Sequence, residues 1–79
     1  MTSENYQRAQ ILAYNIDHLK KQIDIWSNCT ALDSVRVISK GHGSTYADKN
    51  SIDLDMLKRI TLLQLRKELN TINAEFETL

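Results

Sequence analysis

The stretch Lys40-Gly41-His42-Gly43-Ser44-Thr45-Tyr46 decides how the chain is read, because it holds the only two glycines among 79 residues. Glycine reaches backbone conformations closed to other residues, so a chain without proline turns most easily here. On either side run long segments whose apolar residues recur at helical spacing. The reading is two helices joined through a glycine-hinged polar tip.

Upstream, Ala9, Leu12, Ile16, Leu19, Ile23 and Trp26 step by 3, 4, 3, 4 and 3 residues, the seam of a helix that packs along another helix. Thr2 or Ser3 can cap it, and Glu4 places a carboxylate in the first turn, where the helix dipole favours one. Ser27-Asn28 suits its end, since neither residue favours a helix interior. The spacing predicts a helix over about 3–27. Downstream, Leu62, Leu65, Leu69, Ile72, Phe76 and Leu79 step in the same way, with Asp53 or Asp55 as the cap, and predict a helix over about 54–78. Two matched seams with a connector between them predict a mainly α fold, an antiparallel two-helix hairpin forming a single domain over 1–79.

In the connector, about 28–53, Ser34-Val35-Arg36-Val37-Ile38-Ser39 is rich in β-branched residues and reads as a strand. Ser51-Ile52-Asp53-Leu54-Asp55 alternates cleanly and reads as its partner, which leaves the glycine stretch in a β-hairpin loop. Val35, Val37 and Ile38 are expected to pack near Ile25, Trp26 and Cys29 at the end of the first helix. Met56, Ile60 and Leu63 fall off the second seam near the connector, so the hairpin is expected to lie over them. A lone two-stranded hairpin is marginal in water and must pack on the helices or on another subunit.

A chain this short hides only about 60–65% of its unfolded surface, and natural domains of this size usually add a disulfide, a metal or a partner. Cys29 is the only cysteine, and His18 and His42 are the only histidines, which leaves self-association as the staple. Ile11 and Ile25, with His18 midway at seven-residue spacing, widen the apolar surface to one flank. Either the connector covers that flank or it is the interface of a homo-oligomer. Ten basic residues balance ten acidic ones, so the basic surplus that non-specific nucleic-acid binding needs is missing. The start carries no basic region followed by an apolar run, and no stretch nears the roughly 18–20 apolar residues of a membrane helix. The expectation is a cytoplasmic protein with no membrane partner.

The chemistry concentrates at the tip. Consecutive N–H groups around glycines can converge into an anion-binding nest. Lys40, His42, Ser44 and Thr45 add donors, and Arg36, Lys49, Lys58 and Arg59 lie close by in sequence. Tyr46 can stack on a base. The candidate ligand-binding set is therefore Arg36, Lys40, Gly41, His42, Gly43, Ser44, Thr45 and Tyr46. It matches neither established phosphate loop: no lysine follows Gly43 as the Walker pattern requires, and Tyr46 stands where the dinucleotide fingerprint needs a small residue. The plain alternatives are a flexible turn or a protein-contact loop. His42, Ser44 and Asp48 do not make a triad, because all three sit in one short connector with nothing rigid to fix their geometry. Cys29 has no base beside it in sequence, so no catalytic residue, metal or cofactor is expected.

Short length, paired helices, a β-insert, the lack of an enzyme motif and a glycine-hinged basic tip together make the chain resemble small phage-encoded counter-defence proteins that sequester cyclic-nucleotide signals. The resemblance implies short helical chains that assemble into oligomers and bind their ligand between subunits in the host cytoplasm. No residue of that group is carried onto this chain; the site residues above come from the connector's own chemistry. The functional expectation is a non-enzymatic, sequestering protein for a phosphate-bearing or cyclic-nucleotide ligand. The alternatives are a protein-binding inhibitor or adaptor, and a ligand-free coiled-coil assembly protein.

Overall fold

The computed structural model describes residues 2–79. Helix α1 spans Ser3–Ser27, strand β1 Val35–Ser39, strand β2 Gly43–Ala47, a single 3-10 turn Lys49–Ser51, and helix α2 Leu54–Glu77. Both helices begin where a side chain can take an orphan amide. The Thr2 hydroxyl accepts from the Asn5 N–H at 3.2 Å, and the Asp53 carboxylate accepts from the Met56 N–H at 3.1 Å. Helix α1 stops at Asn28, whose side-chain amide donates to the Asp24 carbonyl at 2.9 Å and so occupies one of the last free acceptors. The antiparallel hairpin of two helices follows the two seams.

Only Leu12 and Leu19 are buried among the described residues, at 4% and 7% exposure. Of the other seam residues, Ile16, Ile23, Trp26, Leu65 and Ile72 are half-buried, while Phe76 and Leu79 at the end of the second seam are exposed. Two polar contacts hold the ends of the pair. Arg8 near the start of α1 forms a salt bridge with Glu75 near the end of α2. At the other end the Lys58 ammonium donates to the Cys29 carbonyl at 2.8 Å. That tie is part-buried, and a charged donor there strengthens the bond.

The molecule measures 50 × 28 × 15 Å, a single layer two helices wide. Its radius of gyration is 17.1 Å, against about 12 Å for a compact domain of this length. It exposes 6463 Å², where a compact monomer of its mass would expose about 4,900 Å². One layer cannot cover two faces of each helix.

The partner strand differs from the one the alternation predicts. Val35 pairs with Ala47, Val37 with Thr45 and Ser39 with Gly43, so β2 follows the glycines directly. Ser51–Asp55 has other work: Ser51 closes the 3-10 turn, whose amides Asp48 caps, and Asp53 caps α2. An aspartate side chain that satisfies the backbone locally competes with strand pairing, and here the cap prevails over the alternation. Two packing expectations are also corrected. Ile38 and Val37 are exposed, at 90% and 39%, rather than packed on the end of α1: the register turns Ile38 to the outer face with Arg36, and the face that carries Val37 has no extensive helix contact behind it. Met56, Ile60 and Leu63 are exposed, and neither strand packs extensively on either helix, so the hairpin does not lie over them.

Because so little is buried, each buried leucine carries an unusual share of the stability. Leu19→Ala is expected to cost about 2–4 kcal/mol, measured by urea unfolding followed by circular dichroism. The same change at Ile11, 58% exposed, should stay within about 0.5 kcal/mol at concentrations where the chain is monomeric.

Candidate binding face of the hairpin

The hairpin turns through Ser39-Lys40-Gly41-His42, closed by the His42 N–H donating to the Ser39 carbonyl at 3.1 Å. Gly41 sits at the third position with φ +88°, near the +80° that a type II turn demands there. Gly43 opens β2 with φ +65°. The glycines thus have a definite structural task. The His42 amide is already spent on the turn, which removes it from any anion-binding nest.

Directly opposed residues of an antiparallel pair share a face, and alternate pairs share the same one. The register therefore sorts the hairpin. Arg36 with Tyr46 and Ile38 with Ser44 form the outer face; Val35 with Ala47 and Val37 with Thr45 form the inner face. On the outer face the Arg36 Nε donates to the Ser44 hydroxyl at 2.7 Å, and its guanidinium carbon lies 5.9 Å from the centre of the Tyr46 ring. A guanidinium at that distance over an aromatic face is attracted by the ring quadrupole, by about 0.5–1 kcal/mol at an exposed site. Arg36 is thereby held in place with its terminal N–H groups free to meet an acceptor. Among the described residues neither Arg36 nor Lys40 forms a salt bridge.

Of the eight expected site residues, the structure brings Arg36, Ser44 and Tyr46 into one contact group. Lys40, Gly41 and His42 form the turn at its end, and Gly43 joins turn to strand. Thr45 faces the other way and is half-buried. The wider ring of cations does not form as the sequence suggested. The Lys58 ammonium is committed to the Cys29 carbonyl, and Lys49 lines a separate cleft. That cleft, about 370 Å³, lies between the segment after α1 and the approach to α2, with Thr30, Leu32, Asn50 and Ile52 also on its wall. Its volume falls at the low end of small-molecule pockets. The sequence gives no sign of the Ala31–Leu32 wall, since neither residue falls on a helical seam or in a motif. A groove of about 350 Å³ runs along α2 by Gln64, Lys67 and Thr71.

Among the described residues no three His, Cys, Asp or Glu side chains converge as metal ligands, and no helix is long and apolar enough to cross a membrane. Comparison with protein-family models, with curated proteins and with solved structures gives no match.

A Cβ built on Gly41 meets no atom within 4 Å, so the cost of Gly41→Ala is conformational alone. An L-residue at φ +88° should destabilise the turn by about 1–2 kcal/mol. Faster amide exchange at His42, with protection in α1 and α2 retained, is the expected outcome.

Proposed function

We propose that the chain is a non-enzymatic binding protein that holds a phosphate-bearing, nucleotide-type small molecule at the outer face and tip of its β-hairpin, with a neighbouring subunit closing over it. The observation that carries this reading is the Arg36–Ser44–Tyr46 group. A guanidinium already oriented by a hydroxyl and an aromatic ring loses less freedom when it meets a phosphate, and its planar fork suits two oxygens at once. Lys40 and His42 extend the donor set at the turn, and the ring of Tyr46, 68% exposed, offers a surface on which a base can stack.

On one chain this face is open, and a ligand there would remain largely in water. Sequestration requires a second wall. A hairpin that packs on neither helix gains from the same event, because a lone two-stranded sheet is marginal. The likeness to phage counter-defence proteins that trap cyclic nucleotides points to the same class of ligand and to a host-cell cytoplasmic setting.

The second reading is a protein-binding inhibitor or adaptor. It draws on Ile11, Tyr14 and Ile25, which lie along one flank of α1 at exposures of 57–72%.

A thermal-shift series with cyclic di- and trinucleotides separates the two. At a hundredfold excess over the dissociation constant, the ligand should stabilise the fold by about 2.7 kcal/mol. For a chain of this length that is a rise in Tm on the order of 10 °C. Arg36→Ala should abolish the rise while leaving the Tm without ligand within a few degrees. No stabilisation by any nucleotide of the panel rejects the ligand reading and leaves the adaptor reading standing.

A further inference from the structure

We infer that the back of α2 is a self-association surface, on which a second copy of this chain packs through Met56, Ile60 and Leu63 in an antiparallel, two-fold contact centred on Ile60. The three residues step by 4 and 3, so they form one stripe, and helical spacing sets that stripe nearly opposite the seam that faces α1. They are 55%, 57% and 69% exposed, and among the described residues no other element covers them. Three contiguous large apolar side chains on one helix face are an unusual load for a chain with two buried leucines.

The area identifies the size of the missing partner. The 6463 Å² exposed exceeds the compact-monomer expectation by about 1,600 Å². A standard interface takes about 800 Å² from each partner, and obligate homodimers take more. The excess is about twice what one partner gives to a standard interface and falls in the range of obligate homodimers, and a 15 Å thick layer becomes two layers when it is stacked.

The stripe also fits itself. With the two-fold axis at Ile60, Met56 of one copy lies against Leu63 of the other, because they stand four and three residues from the centre. The same register brings Lys67, four residues beyond Leu63, beside the other copy's Asp53 at the start of α2. Apolar residues meet apolar ones, and a cation meets an anion at each end. This contact stands without any ligand at the hairpin, so its test is separate from the nucleotide panel.

The experiment is the mass in solution, by light scattering or sedimentation equilibrium at tens of micromolar. The wild-type chain should run at an even multiple of 9.1 kDa. Ile60→Asp and Ile60→Lys should each halve that mass, since like charges would then meet at the axis. An equimolar mixture of the two variants should restore it, because the opposite charges pair across the axis. Mixing also covers the case in which either variant unfolds alone: helicity and mass should then return together. A wild-type mass of 9.1 kDa overturns the inference. So does retention of the full mass by both variants, or a mixture that recovers nothing. Disruption by Ile11→Asp with both Ile60 variants intact would move the interface to α1 and also overturn it.

Discussion

The structure depends on a helix–helix seam that is one side chain deep. Leu12 and Leu19 are the only buried residues along it among those described, neither wholly cut off from water, and everything else along it is shared with solvent. Hydrophobic stabilisation follows the apolar area removed, so a seam this thin leaves little surplus over the entropy of ordering the chain. The rest of the architecture follows from this constraint. The helices are long because many weak half-burials must add up. The apolar stripes on their backs, Ile11 and Ile25 on α1 and Met56, Ile60 and Leu63 on α2, stay exposed because among the described residues neither helix has a second neighbour.

The hairpin obeys a different rule. Its geometry is local, set by two glycines at positive φ and by the cross-strand register, with little help from the helices. That independence lets its outer face be specialised. Arg36, Ser44 and Tyr46 are arranged by one another across two strands, so the arrangement does not rely on a packed base. A face organised by its own side chains can be presented to a ligand or a partner without reworking the core.

How legible this was depends on the range of the forces involved. Both helices were readable to within a residue or two, because seam spacing, Asp53, Thr2 and Asn28 are all signals within a few residues of one another. The choice of β2 was not. Ile52 and Leu54 alternate as a strand should while Asp53 between them is also a helix cap, and the local pattern does not decide between the two; in the fold the cap wins, with Asp48 capping the turn before it. A partner strand drawn from that alternation hides the opposition of Arg36 and Tyr46, although the chemistry of both residues is plain in the sequence. The role of Lys58 is hidden for a similar reason: its partner is the Cys29 carbonyl, 29 residues away, and a backbone carbonyl has no letter in a sequence.

The two polar contacts at the ends of the helical pair have a consequence beyond their energies. Both seams repeat every seven residues and are built largely from leucine and isoleucine, Ala9, Trp26 and Phe76 apart, so sliding one helix along the other by a heptad, about 10.5 Å, would exchange many of the apolar contacts for others of the same kind. The apolar seam by itself is a ruler without a zero mark. Arg8 with Glu75 and Lys58 with the Cys29 carbonyl supply that mark, one from each end, because a slid pair would leave two cations and a half-buried carbonyl unmatched. Being single and far apart, they add modestly to stability and heavily to uniqueness. Among near-equivalent alignments, they select the one that seats the connector where it stands.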